Sequence, residues 1–171
     1  MRVLATDARG DLRAPLGIAV WPVVTVAVAS ALQGIAWMVS GPVLPPIGYM
    51  TFLAWRLLRS DLWPAWIGLP LGLWDDLVTG QPIGSAMAIW TATGLALDLS
   101  DLRLVWRDML LDWIIASVAL ALALLLAALF ARVGGLSAAA RLIVPQLFAS
   151  IFLMPAIMWL VARVDRWRIG R

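Results

Sequence analysis

The chain has no cysteine and no histidine among its 171 residues. The first absence excludes disulfides and thiolate metal sites, and the second removes the commonest general base and metal ligand. Most enzyme chemistries thereby lose their usual side chains. Charge is scarce too, at 13% of residues against about 25% in soluble domains. Every cation is Arg and every anion is Asp. No basic stripe interleaved with aromatics marks a nucleic-acid surface, so no nucleic-acid partner is expected.

What is present is apolar. Hydrophobic residues make up 63% of the chain, where about 45–50% is ordinary. A domain of this length has too little interior to hide so many Leu, Ala, Val and Trp side chains. The composition therefore assigns the chain to the integral membrane proteins, with the bilayer replacing the missing core and one domain, 1–171, of packed helices. The net charge of +3 suits anchoring to an anionic membrane face. The start, MRVLATDARGDLRAPLG, is too charged to be a cleaved signal, and 1–15 is expected to be a cytoplasmic tail.

Hydropathy predicts six spans. Leu16 to Ser40 is long enough for a crossing at ~20 residues and ends at Gly41-Pro42. A second, shorter run goes from Ile47 to Leu58, with Arg56 and Arg59 at its exit. Trp63, Pro64 and Trp66 open a third as an interfacial belt, which continues to about Val78. Pro82, at a first helical turn, starts a fourth that reaches about Leu97. Ser100 and Asp101 offer caps for a fifth helix through ALALALLLAALF to Arg132, closed by Gly134-Gly135. Ser137 to Ala162, interrupted by Pro145 and Pro155, forms the sixth, and 163–171 is a basic tail. With a cytoplasmic N-terminus, the inner side receives Arg2, Arg9, Arg13, Arg56, Arg59, Arg103, Arg107, Arg163, Arg166, Arg168 and Arg171. The outer side receives Arg132 and Arg141. That bias favours an even number of spans with both termini inside.

The stretch GLWDDLVTGQPIG, Gly72 to Gly84, sets two carboxylates side by side in this apolar chain. Asp75 lies nine residues beyond Trp66, or roughly 13 Å deeper at a helical rise, near the middle of a ~30 Å hydrocarbon core. A charge there costs at least ~2.5–3.5 kcal/mol, so it must find a protein partner or water, or be protonated. Adjacent helical residues diverge by about 100°, so both acids share one pocket only if the helix unwinds, which Gly72, Thr79 and Gly80 permit. Three roles stand open: a turn acid, a polar contact with a partner helix, and a ligand, ion or proton site. The first is preferred. Asp76 then hydrogen-bonds backbone N–H groups at the start of the next helix, with Asp75 as its more exposed neighbour.

A second acidic group lies in SDLRLVWRDMLLDWIIAS. On one continuous helix Asp101, Asp108 and Asp112 fall within about 40° of one another, opposite Arg103 and Arg107. Asp near a helix N-terminus complements the dipole, but Asp112, more than two turns in, calls for a protein partner. An aspartyl protease needs two Asp on facing helices; Asp76 and Asp112 belong at opposite depths, so no catalytic residue, metal site or cofactor is expected. The eleven Trp are read as belts and packing, with Trp21, Trp63, Trp66, Trp106, Trp159 and Trp167 near boundaries. Gly94, Thr91, Thr93, Ala149 and Ser150 are read as small or polar positions that let helices approach closely.

The region from about Pro45 to Trp90 resembles the rod shape-determining protein MreD family of bacteria. The resemblance rests on PPIGYMTFLAWRLLR, on Trp63-Pro64, and on the pattern G-x-x-x-D-L-x-x-G-x-P-x-G met by Gly72, Asp76, Leu77, Gly80, Pro82 and Gly84. It implies an all-α membrane protein of six transmembrane helices, similar to the substrate-binding subunits of energy-coupling-factor transporters but without transport. It further implies a non-enzymatic scaffold in the bacterial inner membrane. Its partners would be the bitopic MreC, a RodA-type glycosyltransferase with its transpeptidase, the actin-like MreB and membrane lipids. The alternative is a substrate-binding subunit of a vitamin-type importer, which would need a polar pocket on the outer side.

Overall fold

The computed structural model describes residues 16–40, 44–101, 109–130 and 136–169. The N-terminal segment 1–15, the Gly41-Pro42 and Gly134-Gly135 breaks, and Arg103, Arg107 and Asp108 lie outside the described residues. Six α-helices follow in order: α1 (Leu16–Ser40), α2 (Ile47–Leu58), α3 (Gly68–Thr79), α4 (Ser85–Asp101), α5 (Met109–Phe130) and α6 (Leu136–Ile169). Two 3-10 turns, Ser60–Leu62 and Ala65–Ile67, connect α2 to α3, and there is no strand among the described residues. Within these helices, Leu110–Phe130 and Ile143–Trp167 are long and apolar enough to cross a membrane; Val20–Ala36, Ile47–Leu58 and Ser85–Leu99 are apolar but shorter.

The helices alternate in direction. At one end the exit of α2 meets the ends of α4 and α6, where Arg56 pairs with Asp98 and Arg59 with Asp165. Near the same end, Trp21 of α1 and Trp167 of α6 touch edge to face, with ring centroids 5.5 Å apart. At the opposite end Gly48 N–H, at the start of α2, donates to Gln33 Oε1 of α1 (3.1 Å), and Gln146 Nε2 of α6 donates to the Leu44 carbonyl (2.7 Å). The beginning of α1 and the end of α6 therefore share one end of the bundle.

α2 is the central helix. Every residue from Gly48 to Leu57 is buried, because α1, α4, α5 and α6 all pack on it. A short helix apolar on all its faces needs such cover. Phe52 stacks between Trp90 (5.0 Å) and Trp63 (6.4 Å), and Tyr49 leans on Trp90 at 5.8 Å. Trp63 is thus a core residue and not part of a belt, whereas Trp66 is exposed. Indole N–H groups tie neighbours together where no water is at hand. Trp55 donates to Thr25 Oγ1 (2.9 Å), Trp74 to the Ala27 carbonyl (3.1 Å) and Trp113 to the Ile151 carbonyl (3.1 Å).

Several boundaries differ from the sequence reading. Pro82 is not in a first helical turn: α4 begins at Ser85, whose N–H donates to the Pro82 carbonyl (3.0 Å). Asp101, expected as a cap of the fifth helix, is itself helical and belongs to α4, and Asp112 belongs to α5; the segment 102–108 between them, with Asp108, lies outside the described residues. Pro145 and Pro155 do not interrupt α6, a continuous helix of 34 residues that carries residues 163–169 as helix.

Candidate functional site

α3 is the element that places the paired acids. Its two sides pack on different helices, α4 on one and α1 on the other. Gly68 and Gly72, one turn apart, put bare backbone against α4. A methyl on Gly72 would stand 2.6 Å from the Met87 backbone, and one on Gly68 would stand 2.7 Å from the Thr91 nitrogen. Gly72 thus serves close packing within an intact helix, and α3 does not unwind there. Asp76, one turn further along the same face, meets the start of α4.

Asp76 is 1% exposed, and its carboxylate closes the α3–α4 turn. Oδ1 accepts from Ser85 Oγ and from the Ala86 N–H, both at 2.9 Å, and Oδ2 accepts from the Gly84 N–H at 2.8 Å. These are donors that the first turn of a helix leaves without intrahelical partners. The Asp76 carbonyl in turn accepts from the N–H groups of Gly80 and Gln81. Gly80 (φ +68°) and Gly84 (φ +98°) occupy the left-handed region that side chains disfavour. The motif residues Asp76, Gly80, Pro82 and Gly84 thus form one turn around one carboxylate, with the hydrogen bonds to the next helix that the spacing predicts.

Asp75 corrects the sequence reading. It is 4% exposed, not the more exposed neighbour. A helix covered on two opposite sides buries both of two divergent acids. Asp75 faces α1 and α2, where its Oδ1 and Ser30 Oγ both lie against Gly48. The Ser30 hydroxyl is the side-chain neighbour of the Asp75 carboxyl, although neither Oγ nor Oδ1 completes a hydrogen bond.

Asp75 also lines a cavity of about 330 Å³ at this end of the bundle, together with Gln33, Tyr49, Gln81, Trp90 and Gln146. The turn residues Gly80 and Pro82 contribute to its wall, and Ala123, Leu124 and Ala127 of α5 give it an apolar side. Tyr49 is already engaged, its hydroxyl bonded to Thr93 Oγ1 at 2.8 Å. Gln33 and Gln146 were missed in the sequence, although a lone amide in an apolar run, as in Leu16–Ser40, is itself a signal of a buried polar role.

The opposite end holds a second polar cluster, also missed. Arg56 is 1% exposed; its Nη1 donates to the Trp63 carbonyl (2.5 Å), and its Nη2 to the Gly94 carbonyl (3.1 Å) and the Asp98 carboxylate. Asp112 lies about three turns of α5 away from the Asp75 cavity, which that helix lines with Ala123, Leu124, Ala127 and Ala128. Asp76 and Asp112 are not brought together. Gly94, Thr93 and Ser150 serve contacts inside the bundle: Gly94 accepts from Arg56, Thr93 meets Tyr49, and Ser150 Oγ donates to the Gln146 carbonyl at 2.7 Å. The faces turned outward are aliphatic instead, as in Val20, Val24, Val28, Leu32 and Ile35 of α1.

Set against protein-family models, curated proteins and solved structures, the chain has no match. A functional reading therefore stands on the residues and their geometry.

Proposed function

We propose that this chain is a non-catalytic scaffold of the machinery that elongates the bacterial cell wall and maintains rod shape. It would cross the inner membrane six times with both termini cytoplasmic. It would act beside an MreC-like bitopic protein, a RodA-type glycosyltransferase with its transpeptidase, and an MreB-type actin. The observation that carries this reading is the full use of Asp76 within the α3–α4 turn. The one acid of the family-like motif is held by three donors and is 1% exposed, so it is spent on the turn. Outward apolar faces on α1, α5 and α6 suit lipid and partner helices, which associate in a bilayer through packing.

A second reading, a small-molecule-binding subunit of an importer, is favoured by the cavity beside Asp75. Affinity purification from mild detergent separates the two. Recovery of a bitopic MreC-like chain supports the scaffold; recovery of paired ATPases with a coupling subunit overturns it in favour of the importer. The six-span topology has its own test in single-cysteine accessibility. Gln81 and Gly135 should label from outside and Asp61, Ser100 and Gly170 from inside; a Gly170 site labelled from outside would overturn it.

A further inference from the structure

The wall of the cavity combines apolar surface with one buried acid, Asp75, beside the Ser30 hydroxyl. Asp75 is 4% exposed, and its Oδ1 accepts no hydrogen bond. No Arg is among the described residues that line the space. Of the other polar groups, Gln33 accepts from the Gly48 N–H, Gln146 donates to the Leu44 carbonyl and Tyr49 bonds Thr93, while Gln81 also lines the wall. Trp90 and Tyr49 add aromatic rings that attract a cation. A volume of about 330 Å³ is at the lower end of the range of small-molecule sites.

We propose that this cavity binds an organic ammonium group carried on an apolar body, with Asp75 as its counter-ion. A cationic head supplies the donors and the charge that the buried carboxylate lacks, while an apolar body matches the α5 side of the cavity. Among the described lining residues an anionic ligand would meet an acid and no cation, and a neutral apolar one would offer the carboxylate neither charge nor donor. The same ammonium chemistry is offered by a free amine and by the headgroup of phosphatidylethanolamine. The inference rests on neither functional reading, since a scaffold can hold a bound ligand as readily as an importer subunit can.

The test uses the full chain purified in mild detergent, with benzylamine, benzyl alcohol and benzoate as probes of equal apolar body and different charge. Benzylamine should raise the unfolding temperature in a saturable way at a pH where it is protonated, and the other two should not. Asp75→Asn should weaken benzylamine binding by at least about tenfold, the scale of one charge-assisted contact. Because that variant alters a buried site, Ala127→Trp, which fills the α5 side and leaves the acid in place, should abolish the same response. Native mass spectrometry identifies the source. Retention of phosphatidylethanolamine over phosphatidylglycerol, lost in Asp75→Asn, assigns the site to a lipid headgroup; a benzylamine response with no lipid preference assigns it to a free amine. Equal responses to all three probes, or a benzylamine response unchanged in both variants, overturns the proposal. Recovery of partner chains is read separately, so failure here leaves the scaffold reading to its own experiment.

Discussion

The two ends of the bundle use the same side-chain type, aspartate, in opposite ways. At the end where α2 leaves the core, Asp98 and Asp165 meet arginines 42 and 106 residues away in the chain. At the other end, Asp76 meets groups only eight to ten residues further on. The first arrangement sets which helices stand beside one another; the second sets how one helix turns into the next. A charge without a nearby backbone donor needs a distant cation, whereas a charge beside a helix start needs none.

The largest effect should come from the distant pair. Arg56→Met keeps the bulk but leaves the Trp63 and Gly94 carbonyls without their donor and Asp98 without its cation. Thermal unfolding in detergent should report a loss of about 3–4 kcal/mol, the lower part of the range for breaking a buried pair because Asp98 keeps some access to water. A loss no larger than that of a surface substitution would show that the three-helix junction is held by packing alone.

Next comes the local acid. Asp76→Ala strands the Gly84 and Ala86 N–H groups and the Ser85 hydroxyl, and should cost about 2–3 kcal/mol with a matching fall in the amount of folded protein. Asp76→Asn retains part of the bonding and should lose less. Complementation of rod shape should follow protein level in both. Loss of shape with the protein and its complex intact in Asp76→Asn would end the non-catalytic reading.

Between the ends, Gly72→Ala drives a methyl into the Met87 backbone and should cost about 1–3 kcal/mol through overpacking, measured by the same unfolding assay. The smallest effect belongs to Arg59→Ala. Its contact with Asp165 is 3.5 Å long and its side chain is one-third exposed, so the change should stay below about 1 kcal/mol.

How much of this was legible follows the same division. The Asp76 turn could be read because acid, glycines and proline all lie within nine residues, and the left-handed positions demand glycine. The Arg56–Asp98 pair could not, because an arginine at a helix exit reads equally well as a cytoplasmic anchor and nothing local names its partner. Asp75 was misread since rotation around one helix says where a side chain points but not how many neighbours that helix has. The prolines of α6 misled because a helix can carry proline when its surroundings satisfy the freed carbonyl.

The glycine face of α3 has a consequence for the order in which the chain folds. Gly68, Gly72 and Asp76 bring α3 and α4 together through contacts between near neighbours in sequence, and closing so short a loop loses little chain entropy. The hairpin from Gly68 to Asp101 should therefore form early and reopen last, with the Gly84 and Ala86 amides among the slowest to exchange with solvent deuterium. The long-range arginine contacts would then capture a hairpin that is already made, so that a defect at Arg56 slows assembly of the bundle while leaving this unit protected.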